Sequence, residues 1–136
     1  MLFLKLMKKI YLFIAMLLCS FAASAKVITA VPAGDIAWYL SQAEPGDVIE
    51  LTDGIYEYSS NIVISTPLTI CAAEGAKPVL MAGGRIEVKA DLRVAGLSIE
   101  TNTAAEAFRL QPGEEIYSLY LQGCSIKGFS SKTIRV

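Results

Sequence analysis

Apolar and polar residues alternate over very short distances in the middle of this chain. The segment RIEVKADLRVAGLSIE holds three apolar–polar–apolar triplets, at residues 86–88, 92–94 and 97–99. An alternation with a period of two is typical of β-strands, because successive side chains of a strand point to opposite faces of the sheet. Few residues separate the triplets, and no Asn-Gly or Asp-Gly hairpin signal lies between them. The segment therefore predicts three short strands joined by tight corners.

The same unit of three triplets recurs on both sides of this segment. Triplets that match the first begin at residues 62, 86, 108 and 134; those that match the second begin at 68, 92 and 119; the third series begins at 79, 97 and 124. A repeat of about two dozen residues, with extra residues only at the corners, is typical of a solenoid. The pattern predicts an all-β fold, a single-stranded right-handed parallel β-helix with three short strands per coil and about three and a half coils.

A β-sandwich of short antiparallel strands is the alternative fold. The strands of a sandwich would be longer, and hairpin turns would join them. Here three series of triplets keep their spacing together from one repeat to the next. This joint spacing favours the β-helix.

Residues 26–46 are predicted to form an N-terminal cap with a short helix, and residues 47–136 to form the coils. Asp35 is a suitable helix N-cap, Ile36 and Leu40 have helical spacing, and the Pro-Gly pair that follows ends the helix. The open apolar end of a solenoid needs such a cap. We expect the helix to cover the first coil.

Three aromatic residues near this cap have more than one interpretation. Trp38 lies in the predicted helix, and we expect it to pack on the first coil rather than to bind a ligand. Tyr56 and Tyr58 are expected in a loop, where they cover a corner or stack on a sugar ring. The covering role is the commoner one for such tyrosines.

The chain stops inside a triplet of the first series, at residues 134–136. A coil cut there would leave an open lumen and an unpaired strand edge, which invites aggregation. We therefore expect the coils to be truncated at the C-terminus. A continuation of the chain, or a partner protein, is expected to cover the last coil.

Residues 1–25 have the features of a secretory signal peptide. Three lysines precede an apolar run over residues 10–18, and Ala23-Ser24-Ala25 forms a small-residue cleavage pattern. A transmembrane anchor is the alternative, although the apolar run is short for a span. We expect cleavage after Ala25, no membrane span afterwards, and export to the periplasm, the cell surface or the medium. Met1 and Met7 are both candidate start residues.

Charge and composition exclude several classes of function. The chain has 12 basic residues, 13 acidic residues and no histidine. Without the three leader lysines, nine basic residues face 13 acidic ones, a net charge of −4. No nucleic acid partner is expected for an acidic chain without a basic stripe. The lack of histidine removes the usual general base, the histidine-dependent triads and most catalytic zinc sites, so no catalytic and no metal-binding residue is assigned.

Four basic residues fall on one predicted outer face, that of the first strand series: Arg85, Lys89, Arg109 and Arg135. With the outward Tyr120 they are the candidate carbohydrate-binding residues. Arginine forks suit the carboxylates or sulfates of an acidic polysaccharide, and a tyrosine ring can stack on a sugar. The alternative is a solvated face, on which Glu87 pairs with Arg109 of the next coil.

Two cysteines, Cys71 and Cys124, follow the leader. In the predicted register they are two coils apart, about 9.6 Å along the axis at about 4.8 Å per coil. That separation is too large for a disulfide. We expect both thiols to be reduced and to lie near corners.

Several motifs resemble those of secreted pectate-lyase-like β-helix proteins. They are PGD at 45–47, DGIY at 53–56, IVI at 62–64, PLTICA at 67–72 and LRVAGLSIE at 92–100. They look most like the N-terminal portion of the chondroitinase B and alginate lyase branch, and also like a related family of uncharacterised β-helix domains. The resemblance spans residues 33–126, and its motifs lie in the first strands and the corners.

This resemblance implies a fold and a class of substrate rather than an active site. Lyases of this branch carry a lysine base, an arginine and acidic calcium ligands on later coils, and none of these can be placed on this chain. No cofactor is assigned here, and Ca²⁺ is a candidate only for a full-length protein. The resemblance implies the N-terminal part of a secreted polysaccharide lyase-like protein that binds or processes an acidic polysaccharide. A non-catalytic glycan-binding or surface scaffold domain is the alternative, and whether the protein is an enzyme stays open.

Overall fold

The computed structural model describes residues 25–101, 104, 106–110, 117–129 and 134–135. One short helix and thirteen short strands make up this part of the chain. The helix is α1 (Ile36–Ser41), and the strands are β1 (Val27–Ala30), β2 (Val48–Leu51), β3 (Ile55–Tyr58), β4 (Ile62–Ile64), β5 (Leu68–Ala72), β6 (Val79–Ala82), β7 (Ile86–Val88), β8 (Leu92–Ala95), β9 (Ser98–Glu100), β10 (Phe108–Leu110), β11 (Leu119–Gln122), β12 (Ser125–Lys127) and β13 (Ile134–Arg135).

The strands form three parallel sheets that run along the length of the molecule. Sheet 1 has the order β4-β7-β10-β13, sheet 2 has β1-β2-β5-β8-β11, and sheet 3 has β3-β6-β9-β12. From β2 onward the chain visits the three sheets in turn, so consecutive strands lie in different sheets and equivalent strands of successive coils pair. This is a parallel β-helix of about four coils, which confirms the predicted fold with slightly more than the predicted three and a half coils.

The strand register follows the predicted repeat in sheet 1 and differs from it in sheet 3, where Val79 pairs with Ser98 rather than with Leu97. Leu80 is therefore the buried residue of the triplet 79–81, and Val79 and Met81 are half-buried, because a run of three apolar residues does not show which of them faces inward.

In sheet 1 the equivalent residues of successive repeats pair. Ile86 pairs with Ile62 on the coil before it and with Phe108 on the coil after it. Phe108 in turn pairs with Ile134. Because like residues stack on like residues, the apolar triplets build continuous columns along the inside of the helix.

The inner columns form the hydrophobic core. In β4 and β7 the two apolar residues of each triplet are buried, and the middle residue is exposed or half-buried. Phe108, Ile99 and Leu92 have no exposed surface at all. Each such side chain contributes about 1.5–3 kcal/mol through burial, so the lumen holds the coils together.

Glycines occupy two equivalent corners between sheet 2 and sheet 3. Gly96 follows β8 with a φ of 73°, and Gly123 follows β11 with a φ of 61°. This left-handed backbone conformation disfavours residues that have a Cβ atom. The chain can therefore turn within two residues at these corners, which the sequence predicted.

The N-terminal end is closed by α1 and by a strand that the sequence analysis missed. The Asp35 side chain caps α1 by accepting a hydrogen bond from the Ala37 N–H at 3.0 Å, and Ile36 and Leu40 are buried. This confirms the predicted helix. Ahead of it, β1 pairs with β2 along its whole length, so sheet 2 begins one strand earlier than the repeat indicated.

Two expectations about aromatic residues are wrong. Trp38 is 57% exposed, because it lies two residues from Ile36 and so on the opposite side of α1. Tyr56 and Tyr58 are not loop residues: they point inward from β3 and are buried. The Tyr56 hydroxyl lies 2.9 Å from the carbonyl oxygens of Ala30 and Thr52, whereas the buried Tyr58 hydroxyl has no hydrogen-bond partner among the residues that the structure describes.

A buried carboxylate joins the beginning of β1 to the beginning of β2. The Asp47 side chain is fully buried, and it accepts hydrogen bonds from the backbone N–H groups of Lys26 at 3.0 Å and Glu44 at 2.8 Å. The Lys26 Nζ lies 3.3 Å from its second oxygen. These backbone N–H groups, followed by the lysine, hold the pKa of Asp47 below its ordinary value.

Polar corner side chains connect one coil to the next in the same manner. The Asp53 carboxylate accepts a hydrogen bond from the Lys77 N–H at 2.5 Å, and the Asn61 side chain accepts one from the Arg85 N–H at 3.0 Å. Both bonds span 24 residues, one repeat. Such bonds satisfy backbone groups that the sheets leave unpaired at the corners.

Both cysteines of the described chain are free and half-buried, at Cys71 in β5 and at Cys124 just before β12. Burial, followed by the charge of Glu50, raises the pKa of the Cys71 thiol. Within the described residues, no helix is both long enough and apolar enough to cross a membrane.

Candidate functional site

The predicted basic residues lie along the outer face of sheet 1, which we call the basic face and define by Arg85, Lys89 and Arg109. Glu87 in β7 pairs in register with Val63 in β4 and with Arg109 in β10. The middle residues of these strands point away from the buried columns. The parallel ladder thus brings together charged residues that are more than 20 positions apart in the sequence.

The arginines of the basic face are engaged in ion pairs. The Nε and Nη2 atoms of Arg85 donate to one oxygen of Glu87 at 3.0 and 2.8 Å. The Nε atom of Arg109 lies 3.7 Å from Glu106, a carboxylate whose side chain is only 8% exposed. The expected pair between Glu87 and Arg109 is therefore wrong: Glu87 bonds to a residue of its own segment, because positions two apart on a strand share a face.

These pairs reduce the free positive charge of the basic face without removing it. Three cations face two carboxylates there, and Lys89 is exposed at the end of β7. An arginine has five N–H donors, so an arginine with one carboxylate partner keeps donors for another anion. The face can still attract an acidic polymer, more weakly than the sequence indicated.

Arg135 continues the column in the backbone, where it pairs in register with Arg109. The side chain of Arg135 lies outside the described residues. Its predicted role in carbohydrate binding stays a prediction.

The predicted site residue Tyr120 lies on a different surface, the outer face of sheet 2. It pairs in register with Arg93 of β8, and the Arg93 guanidinium carbon is 5.5 Å from the centre of the tyrosine ring. We call this surface the tyrosine face and define it by Thr69, Arg93 and Tyr120. The sequence analysis missed Arg93, although it occupies the position of Tyr120 one repeat earlier.

Apart from these two faces, a concave region lies beside the N-terminus of α1. It is a cleft of about 540 Å³, whose polar lining includes Asp35, Glu57, Ser59 and Ser60. Two carboxylates and no cationic side chain line this cleft. It is therefore a poor site for an acidic glycan.

Metal ligands are not clustered in the part of the chain that the structure describes. No group of three or more Cys, Asp or Glu residues there could hold a metal ion. A calcium site needs six to eight oxygen ligands, which a single carboxylate in a corner does not supply.

Comparisons with known proteins find similarity among solved structures alone. No protein-family model matches the sequence, and a search of curated proteins finds no significant match. Among solved structures, the PL6 family alginate lyase AlyGC is similar, with a TM-score of 0.67 and 26% identity over 76% of this chain. A structure of an arginine-to-alanine mutant of AlyGC has a TM-score of 0.65 and 28% identity over 74% of this chain.

The match covers most of this chain but only a small part of the alginate lyase. This chain spans 16% of the length of the alginate lyase chain. The match therefore concerns a few coils of that much longer enzyme. It supports a β-helix fold that is similar to that of a polysaccharide lyase.

Proposed function

We propose that this chain forms the N-terminal coils of an exported protein that processes an acidic polysaccharide, and that its basic face contacts the polymer. The observation that carries the proposal is the alignment of Arg85, Lys89 and Arg109 on one sheet. The similarity to an alginate lyase supports an acidic polysaccharide as the class of substrate, because alginate is an acidic polysaccharide.

The proposed role is to hold the polymer rather than to cleave it. β-Elimination from a uronic acid needs a base that removes the C5 proton and a cation that neutralises the carboxylate. Arginine and lysine side chains of the basic face can supply the cation. We assign no base within this chain, and any catalytic residues and calcium ligands are proposed to belong to further coils of a longer protein.

A non-catalytic glycan-binding or scaffold domain is the second candidate. The observation in its favour is that Arg85 and Arg109 already pair with Glu87 and Glu106. Such pairs are typical of a solvated structural face. The two candidates differ in whether the whole protein turns over a polysaccharide, and a scaffold domain would not need to bind a glycan at all.

The test compares two charge reversals that are equal in charge but differ in place. Lys89→Glu changes the basic face, and Lys77→Glu changes an exposed corner between sheets 2 and 3. Binding of alginate, chondroitin sulfate and neutral dextran is measured by affinity electrophoresis at low and at high salt. We expect Lys89→Glu to weaken binding to the acidic polymers about tenfold, because it replaces an attraction with a repulsion, and Lys77→Glu to leave it unchanged.

Equal losses in both variants would mean attraction by net charge alone and would overturn the proposed face. Absence of binding to every acidic polymer would overturn the proposal as a whole. A rise in absorbance near 235 nm, produced by this chain alone with alginate, would show cleavage and contradict the holding role.

A further inference from the structure

The tyrosine face carries an exposed aromatic ring that lies on a different sheet from the basic face. Tyr120 is 56% exposed, while Leu119 and Leu121 on either side of it pack against the core. The ring thus stands on the outer side of a strand whose inner side is anchored. A ring held in this way is a rigid platform, which loses little conformational entropy when it binds.

A cation stands beside this platform. Arg93 and Tyr120 are neighbours in register on adjacent coils, about 4.8 Å apart, and the guanidinium lies 5.5 Å from the ring centre. A cation–π contact of this kind holds the arginine in place. The arginine lies over one face of the ring, and more than half of the tyrosine remains exposed to a ligand.

A groove runs from this pair to the corner before β5 and β8. Its volume is about 260 Å³, and its walls include Thr69, Arg93, Tyr120, Pro67 and Asp91. Volumes of several hundred cubic ångströms are typical of sites for small ligands, so this groove has room for about one sugar ring. Its lining combines an apolar surface with hydrogen-bonding groups, as a sugar requires.

The polar groups of the groove are fixed in position. Asp91 accepts a hydrogen bond from the Ser118 N–H at 2.7 Å, which holds its carboxylate at the corner. Thr69 is half-buried and pairs in register with Arg93. The groove thus has a negative end at Asp91 and a positive end at Arg93, so an anionic group is favoured beside Arg93 and neutral hydroxyl groups beside Asp91.

We propose that the tyrosine face is a second glycan-binding site, separate from the basic face, that takes one anionic sugar residue. The sugar ring lies against Tyr120, its carboxylate or sulfate meets the Arg93 fork, and its hydroxyl groups bond to Thr69 and Asp91. The site rests on the proposed function for its class of ligand. It goes beyond that function, because it lies on another sheet and binds through stacking rather than charge alone.

The test uses Tyr120→Ala with a control of equal exposure. Trp38 is 57% exposed on α1, so Trp38→Ala removes an aromatic ring that is as accessible and lies elsewhere. Binding of an alginate hexasaccharide, a chondroitin sulfate hexasaccharide and neutral cellohexaose is measured by titration calorimetry. We expect Tyr120→Ala to weaken binding of an acidic hexasaccharide about tenfold, Tyr120→Phe to retain it, and Trp38→Ala to leave it unchanged.

Arg93 separates stacking from charge recognition. Arg93→Ala should weaken binding of the acidic hexasaccharides and leave binding of cellohexaose unchanged. Arg93→Lys should restore only part of the lost affinity, because lysine lacks the forked guanidinium group. Alginate carries carboxylates only, whereas chondroitin sulfate carries carboxylates and sulfates. Binding of the alginate probe through Arg93 would therefore identify a carboxylate as sufficient, and binding of chondroitin sulfate without binding of alginate would point to the sulfate. Thermal unfolding of each variant controls for loss of fold.

The Lys89→Glu variant separates this proposal from the proposed function. If Lys89→Glu weakens binding and Tyr120→Ala does not, the tyrosine face is overturned and the basic face stands. If only Tyr120→Ala weakens binding, the tyrosine face stands and the basic face is overturned. Binding that neither variant alters would overturn both.

Discussion

The inner and outer sides of the coils use similar residues for different purposes. Tyr56 is completely buried, whereas Tyr120 is 56% exposed. Asp47 has a fully buried side chain, and that of Glu87 is 15% exposed; each has a basic partner. The comparison shows that a side chain's direction from the strand, rather than its type, decides whether it holds the coils together or stays available to a ligand.

The largest effect should come from removing an inner ring. Tyr56→Ala leaves a cavity in the lumen and removes the hydroxyl that lies within hydrogen-bond distance of the carbonyl oxygens of Ala30 and Thr52. We therefore expect it to lower the free energy of unfolding by about 3–5 kcal/mol. Tyr120→Ala removes only an exposed ring and its contact with Arg93, at a cost of about 1 kcal/mol or less. Urea unfolding of both variants makes the measurement. Equal losses of unfolding free energy in the two variants would contradict the placement of Tyr56 inside the coils and of Tyr120 outside them.

The second effect concerns the two carboxylates. Asp47→Asn keeps the shape of the side chain but removes the charge that accepts two backbone N–H groups and faces Lys26. We expect a lower melting temperature at neutral pH for Asp47→Asn, and little change for Glu87→Gln on the outer face.

The pH dependence follows from the lowered pKa of Asp47. A carboxyl group whose pKa is lower in the folded state stabilises the fold above its unfolded pKa of about 4, and this stabilisation is lost as the pH falls through the folded value. The melting temperatures of the original protein and of Asp47→Asn should therefore converge in acid below about pH 4. A difference that stays constant down to pH 2 would contradict the role of this charge.

The smallest effect compares two inner hydroxyl groups. Tyr56→Phe removes a bonded hydroxyl, and we expect a loss of about 1 kcal/mol. Tyr58→Phe removes a buried hydroxyl that has no partner, so the variant should be as stable as the original protein or more stable. Burial also raises the pKa of Tyr58, as expected for a hydroxyl that cannot ionise there. Chemical denaturation resolves the two variants, and a larger loss for Tyr58→Phe would reverse the assignment.

Strands were predictable where a polar middle residue separates two apolar residues of a triplet, or where the flanking residues are strongly apolar. In β4 and β7 the apolar residues point inward and the middle residue points outward, so the repeat located them and their register. The pattern is weaker in β1 and β3, because an exposed apolar residue, Val27 or Ile55, opens each strand. Both strands were missed for that reason.

The candidate site was predictable only in part. The register placed Glu87 beside Arg109 on the correct sheet. It could not show that Glu87 bonds to Arg85 instead, because ion pairing depends on the side-chain conformations of long, flexible residues. It placed Tyr120 in the second strand series, apart from the arginines of the first, but not at a defined distance from them, since that distance depends on how the three sheets are arranged around the lumen.

The residue pattern predicts the repeat, the capping helix and the register of sheet 1, because hydrophobic burial with a period of two leaves one way to stack these coils. It does not set the register at 79–81, where all three residues are apolar and the observed pairing is displaced by one residue. The tertiary structure decided which polar groups meet. Asp47 is buried against Lys26, 21 residues away, and Arg93 joins Tyr120 from the next coil. Such contacts arise between coils, where neighbours in space are distant in sequence and no local pattern encodes them.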